Sequence, residues 1–469
     1  MTKVERGVIS ARGLTICAAL LTFAIAIAGW DLIQAREANR GHSDSTDSSY
    51  NEADDGSAGP RRQSRISAEP PASDESEASV PQMASKPTRA LPQAGGDQPV
   101  MDVATVSPVT PAAQPLTPQL AELRDKVRGV LKLYSPRHLN TRDHSNWEVM
   151  HGIIAYGVNA KLFRGGPKGE SVNAIGWVCF NGACAGEQML YVHNDQLVAR
   201  KGPGVQGHYG QFLAILAQSH VRSDYPIRVA GKSFTVADLI EHEKQDCEEG
   251  EELTFKLIAL MHYLDSNATW KTRTGQQWSI ERLIQSELKQ PIRGAACGGT
   301  HRLMGFSYAV NKRQKRGEPM TGQFERARSF IQDYHRHALS LQNPDGSFST
   351  EWLVRAAAKP DVDRRLKTSG HILEWLAFSL SDDELRHPKT IKAVDYLAGI
   401  LSADKTHAWE VGPLGHALHA LLLYDQRVFQ PADAAGAAEE PLIADESPTL
   451  EIESPADVVK KSKPIELRK

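Results

Sequence analysis

Five histidines recur along the middle of the chain, each beside an apolar segment with helical spacing. They are His151, His208, His301, His371 and His416, and Glu252 takes the corresponding place in a sixth segment. Successive positions are separated by about the length of one helical hairpin. An imidazole at the start of a helix faces the positive end of the helix dipole, which favours the neutral form that accepts a proton or binds a metal. The recurrence predicts that these side chains converge on one site.

Two kinds of chemistry fit this set of residues. His301, His371 and the nearby Glu374 are the candidates for acid-base catalysis. The candidates for binding a ligand are His151, His208, Glu252 and His416. The ligand itself, whether a small molecule, a polymer or a protein, is not specified by any spacing, and neither is a reaction.

The elements that must position these residues are helices of two kinds. The segments that carry the site candidates are apolar on nearly all sides, whereas amphipathic helices lie between them. About six such pairs predict an all-α domain over residues 119–430, in which the apolar helices form an inner ring and the amphipathic helices an outer ring. This arrangement is an α/α toroid, and an open helical solenoid is the alternative. Parallel inner helices would place all the histidines in one cavity at one mouth of the ring.

A short motif in the second half of the domain supports this architecture. Gln342, Gly346 and Phe348 are spaced as in the Q-x3-G-x-W repeat. The segment resembles that repeat of the triterpene cyclases, which share the α/α toroid with the protein prenyltransferase β-subunits. The resemblance implies the toroid fold but not cyclase activity, because the D-x-D-D and D-D-x-x-D motifs of terpenoid chemistry are absent from the sequence.

The resemblance to prenyltransferase β-subunits also implies a zinc site. That family holds zinc at the mouth of the toroid with an Asp, a Cys and a His. His371 resembles the family's late histidine, His301 falls near its cysteine, and Cys297, four residues before His301, supplies a thiol. The resemblance thus implies zinc at Cys297, His301 and His371, although the family's D-x-C pair is absent. A second interpretation treats the Cys297–Thr300 segment as a tight turn with an N-cap.

Two other functions remain compatible with the sequence. Polysaccharide lyases and hydrolases also use α/α toroids, with histidines or paired carboxylates in a cleft at the mouth. A non-catalytic scaffold that binds a protein on its outer helices is the other alternative. We do not expect nucleic-acid binding, because the net charge is -3 and the chain has no bulk positive field.

The chain ends predict export to an extracytoplasmic compartment. Basic residues precede an uncharged run at 13–30, so residues 1–35 are predicted to be a signal anchor that holds the protein in the cell membrane as a single-pass, periplasmic protein. Secretion after signal cleavage is the alternative. Residues 36–118, rich in Ser, Pro, Asp and Glu, are predicted to be a disordered linker, and residues 431–469 a disordered tail. Cys179 and Cys184 are close enough to form a disulfide there, or to remain buried thiols.

Overall fold

The computed structural model describes residues 116–430. The predicted anchor and tail, and nearly all of the predicted linker, lie outside the described residues. About 54% of the described residues are helical and few lie in strands, so the prediction of a mainly helical domain is confirmed at this level. Among these residues, no helix combines the length and apolar character needed to cross a bilayer.

Thirteen α-helices can be labelled along the described part of the chain. In order they are α1 (Pro118–Tyr134), α2 (Asn146–Tyr156), α3 (Ala174–Cys179), α4 (Gln211–Gln218), α5 (Val236–Gln245), α6 (Thr254–Tyr263), α7 (Ile280–Leu288), α8 (Thr300–Lys315), α9 (Gly322–Ser340), α10 (Val362–Ser379), α11 (Asp382–Leu385), α12 (Pro388–Ala403) and α13 (Val411–Tyr424). Short 3-10 turns cover Gly157–Asn159 and Ala296–Gly299, and a π-helical turn at Asp425–Phe429 follows α13.

Short strands, which the all-α prediction missed, lie between the helices of the first half. They are β1 (Leu139–Asn140), β2 (Lys161–Phe163), β3 (Ser171–Asn173), β4 (Leu190–His193), β5 (Gln196–Ala199), β6 (Pro226–Val229), β7 (Lys232–Thr235), β8 (Thr269–Lys271) and β9 (Gln277–Ser279). β1 pairs parallel to β2, and β2 pairs antiparallel to β3. The other six strands form three antiparallel hairpins, β4–β5, β6–β7 and β8–β9. Each hairpin links two helices.

Six helices pack side by side in a closed series of contacts. α2 packs on α4, α4 on α6, α6 on α8, α8 on α10, α10 on α13, and α13 on α2. These are the apolar helices, and all of α4 except Gln218 is buried, which explains why it lacks a polar face. The amphipathic helices pack on members of this series: α5 and α7 on α6, α9 on α8, and α12 on α10 and α13. α1 packs in turn on α12.

Local sequence signals begin and connect these helices. Ser145 and Glu148 form a reciprocal capping box at the start of α2, so the Glu148 carboxylate serves the helix end. Asp361 caps α10 by accepting from the Arg364 backbone N–H. The Gln342 side-chain amide donates to the carbonyl oxygen of Gly346 and to that of Lys389 in the first turn of α12. It therefore ties the end of α9 to the start of α12.

Candidate functional site

The five histidines lie in one cluster, with each ring beside at least one other. The distances between ring centroids are 5.8 Å for His208 and His301, 5.6 Å for His301 and His371, 5.4 Å for His301 and His416, 3.9 Å for His371 and His416, and 5.2 Å for His416 and His151. Five helices or helix entries thus contribute to one histidine cluster.

The position of these residues along their helices differs from the prediction. His301 is in the first turn of α8 and His208 precedes α4. His151 and His416 are each the sixth residue of their helices, α2 and α13, and His371 lies near the middle of α10, which begins at Val362. The helix dipole therefore does not act on His371 as predicted, since its effect fades beyond the first turn. Burial favours the neutral imidazole instead. Together with the neighbouring His416, it lowers the pKa of His371 and of His301 well below the usual range.

Hydrogen bonds fix the tautomer of four of the five rings. In each of them Nδ1 donates to an oxygen that can only accept, so in the neutral ring Nε2 carries the lone pair. The four bonds run from His151 to the Trp147 carbonyl (2.6 Å), from His371 to the Lys367 carbonyl (2.7 Å), from His208 to the Glu252 carboxylate (2.6 Å) and from His416 to the Glu374 carboxylate (2.7 Å). This is the hydrogen-bond pattern that metal-ligating histidines show in proteins.

His301, the fifth ring, has no hydrogen bond at all. Both of its nitrogens are buried and neither has a partner among the described residues. Buried polar atoms in proteins are nearly always paired, and an exception indicates a functional role or a missing ion or water. His301 contacts three other histidines of the cluster, so its unpaired nitrogens are surrounded by potential ligands.

Cys297 completes a group of three metal donors. One ligand atom from each of Cys297, His301 and His371 can be chosen so that all three lie within 4.8 Å of one another, and this is the only such group among residues 116–430. Donors around a tetrahedral zinc ion, bound at about 2.0 to 2.3 Å, lie about 3.3 to 3.7 Å apart. A small contraction would therefore bring the group to bonding geometry.

The turn that carries Cys297 has an unusual backbone. Cys297 has φ 49° and is followed by Gly298 at 63° and Gly299 at 82°, three left-handed residues in a row. The segment is a tight turn with an N-cap, as the second interpretation held, and the N-cap of α8 is Gly299. A Cβ at Gly298 would lie 2.4 Å from the Trp352 side chain, so glycine is required there. A non-glycine residue is costly in this conformation, and such residues concentrate at functional sites.

Glu374 orients two imidazoles and is itself buried. Its Oε2 accepts from His416 and its Oε1 from His419 Nδ1 at 2.6 Å. Burial raises the pKa of Glu374, but the two donors more than offset it, and its pKa lies well below the usual value. His419 was missed by the sequence reasoning, and the available signal was its place one turn after His416 on the same helix face.

The remaining candidates lie outside the three-donor group. Glu252 is held by His208 at the more exposed edge of the cluster. Cys247 donates its S–H to the Glu243 carbonyl, away from the cluster. Cys179 and Cys184 are buried free thiols and form no disulfide.

A groove of about 590 Å³ lies elsewhere, between α1, α12 and the start of α10, and no cluster histidine lines it.

Comparison with known protein families, with curated proteins and with solved structures finds no match to this chain.

Proposed function

We propose that this protein is an exported, membrane-tethered α/α-toroid protein that binds a transition metal ion, zinc in the first place, at Cys297, His301 and His371. The observation that carries the proposal is His301, whose two ring nitrogens are buried without a partner beside a thiol and a second imidazole. A bound ion would satisfy one of these nitrogens and remove the cost of leaving it unpaired.

The toroid is supported by the closed series of helix contacts. Because α13 packs on α2 as well as on α10, the first and last apolar helices cover each other. An open solenoid would leave both of them exposed to water, and their apolar faces make that costly. The amphipathic helices then supply the outer layer.

Binding of a metal has more support than catalysis on a polymer. His151, His371 and His416 are 3 to 4% exposed, and Glu374 is 4% exposed. A polysaccharide lyase or hydrolase needs its acid and base in an open cleft. Of the cluster's two carboxylates, one is buried between two imidazoles and the other is held by His208.

A protein-interaction scaffold is the second candidate function. The groove of about 590 Å³ is bordered by Val362, one of the few large apolar side chains exposed on the described surface. Exposed apolar surface in a groove favours protein contact. A chain with no bound metal that still associates with another protein through this groove would favour the scaffold.

Elemental analysis of the purified full-length chain tests the metal site. We expect about one equivalent of metal in the native protein and none in the double variant His301→Ala/His371→Ala. Far-UV circular dichroism should show that the double variant keeps its helices, because the cluster's polar rings contribute little of the apolar core. No stoichiometric metal in the native chain, after zinc has been supplied and excess removed, would refute the proposal.

The pH dependence of binding should identify the proton that the ion displaces. Burial raises the pKa of the Cys297 thiol to about 12, so the thiol keeps its proton at neutral pH when no ion is bound. His301 and His371 have pKa values well below the usual range and have no proton to lose. Binding therefore releases one proton, and the association constant should rise about tenfold per pH unit between about pH 6 and pH 8. Chelator competition at several pH values measures this slope; a pH-independent constant would exclude the thiolate.

The proposed tether can be tested separately from the metal. With residues 1–12 inside the cell and the chain after Asp31 outside it, a reporter fused at Pro118 should be active only when it works outside the cytoplasm. A fused reporter that is active only in the cytoplasm would contradict the topology and leave the metal site unaffected.

A further inference from the structure

The proposed site has three protein donors, whereas enclosed zinc sites in proteins have four. We infer that His416 is the fourth ligand and that Glu374 is the residue that positions it. The ion would then be enclosed by one thiolate and three imidazoles. This inference rests on the proposed metal site and adds to it a ligand and a coordination class.

His416 is the cluster ring that lies nearest the two imidazoles of the proposed site. Its centroid is 3.9 Å from that of His371 and 5.4 Å from that of His301, the two imidazoles of the proposed site. His151, by comparison, packs on Trp147 with the ring centroids 4.1 Å apart and the planes tilted by 45°, and its ring contact with the cluster of the described chain is with His416. His208 lies 5.8 Å from His301, on the more exposed side, where Glu252 holds it.

Close helix packing builds the contact between His371 and His416. Each histidine follows a glycine, Gly370 on α10 and Gly415 on α13. A Cβ on Gly370 would lie 3.1 Å from Ala417, and a Cβ on Gly415 would lie 2.5 Å from the His151 carbonyl oxygen. Glycine is required at position 415, where a Cβ would overlap a backbone atom, and at position 370 it leaves room for a tight helix contact. Packing therefore constrains the backbone of both histidines.

The hydrogen bond from His416 to Glu374 leaves the correct nitrogen free. Nδ1 donates to the carboxylate at 2.7 Å, so Nε2 carries the lone pair that a metal requires. A carboxylate behind a ligating histidine also holds the ring in place and strengthens it as a donor. Glu374 is rigid in turn, because His419 donates to its other oxygen.

The charges of the buried groups also favour an ion at this place. Glu374 is 4% exposed, and among the described residues its carboxylate is bonded only by His416 and His419, which carry no charge when they donate from Nδ1 and keep the Nε2 lone pair. A buried carboxylate without a compensating cation is costly. A divalent ion, the Cys297 thiolate and the Glu374 carboxylate together carry no net charge, so metal binding would neutralise the buried cluster.

Metal affinity and the Co(II) spectrum of the full-length chain test the fourth ligand. We expect His416→Ala to weaken zinc binding by more than about 100-fold and Glu374→Gln to weaken it about 10- to 100-fold. The native chain loaded with Co(II) should show the intense visible bands of a tetrahedral ion and a thiolate charge-transfer band. His416→Ala should lose the tetrahedral bands. His416→Gln, whose amide can still donate to Glu374, provides a second variant if His416→Ala does not fold.

His335→Ala is the matched control, because it removes another buried imidazole. His335 is 7% exposed, donates to or accepts from Ser379 at 2.7 Å and packs on Trp375, outside the cluster. It should lower stability without changing zinc affinity or the Co(II) spectrum. If the native chain binds zinc and both His416 variants bind it with native affinity and an unchanged Co(II) spectrum, the inference is overturned and the three-donor site stands. If the native chain binds no metal, the proposed site fails and the inference fails with it.

Discussion

Cys297→Ala should abolish stoichiometric metal binding while the chain keeps its helical fold. Cys297 supplies the only charged donor of the proposed site, and no other thiol of the described chain belongs to that group. Loss of a ligand costs more than loss of a residue that merely supports one, for which the affinity falls about 10- to 100-fold. We therefore expect a decrease in zinc affinity of more than about 100-fold, measured by competition with a chelator of known affinity.

The same variant should lose the stability that the ion provides. A ligand present at about a thousand times its dissociation constant stabilises the folded state by about 4 kcal/mol. For a domain of this size that corresponds to a melting temperature lower by roughly 6 °C. Added zinc should raise the melting temperature of the native chain and leave that of Cys297→Ala unchanged.

Cys179→Ala separates this effect from the simple loss of a buried thiol. Cys179 is 0% exposed and lies at the end of α3, outside the donor group. Its truncation leaves a small cavity and should cost roughly 1 kcal/mol, with zinc binding unchanged. If both variants lost the metal equally, or if neither lost it, the assignment of Cys297 as a metal ligand would be contradicted.

Cys297→Gly adds a test of the backbone. A non-glycine residue in the left-handed region costs about 1 kcal/mol, and glycine relieves this cost. The relief should offset the lost side-chain burial, so the metal-free variant should be about as stable as the metal-free native chain. Strong destabilisation of the metal-free variant would indicate that the Cys297 side chain has a packing role.

The helices and their order were accessible from the sequence because their signals are local. In the amphipathic helices Val236–Gln245 and Pro388–Ala403, for example, the buried apolar residues recur at helical spacing along the sequence. The strands were not accessible, since β1 and its neighbours contain only two to four residues each. Alternation over so few residues does not differ from chance, and six of the nine strands described pair within hairpins that connect two helices.

The site could be predicted in part from the sequence, although the structure changes the helix positions on which that prediction was based. The recurrence of histidine beside apolar helices pointed to residues that the structure places together, but the assumed helix register does not hold for His151, His371 or His416. The largest departure is that of His371. α10 begins at Val362, because Asp361 caps it and the exposed residues Val362 and Asp363 open its first turn. A helix start within a polar segment has no apolar signal. His419 was missed because its role depends on Glu374, 45 residues away in sequence and on another helix.

Gly415→Ala should destabilise the protein by about 2 kcal/mol and weaken metal binding as well. A Cβ at this position would lie 2.5 Å from the His151 carbonyl oxygen, a backbone atom that cannot move aside without shifting α2. Overpacking of this kind costs about 1 to 3 kcal/mol or more, and only part of it is recovered from the better helix propensity of alanine. The separation of α13 from its neighbours would also displace His416 from His371.

Gly399→Ala is the matched substitution with the opposite expected sign. Gly399 lies inside α12, and a Cβ there would meet only the Lys126 side chain, with Nζ at 3.3 Å. The end of a lysine can move, so the variant should gain about 0.5 to 1 kcal/mol from helix propensity and bind zinc normally. Urea unfolding and zinc titration of both variants measure the two effects together. A Gly415→Ala protein as stable as the native chain would show that α13 and α2 are not in close contact there, and the packing that holds His416 beside His371 would have to be abandoned.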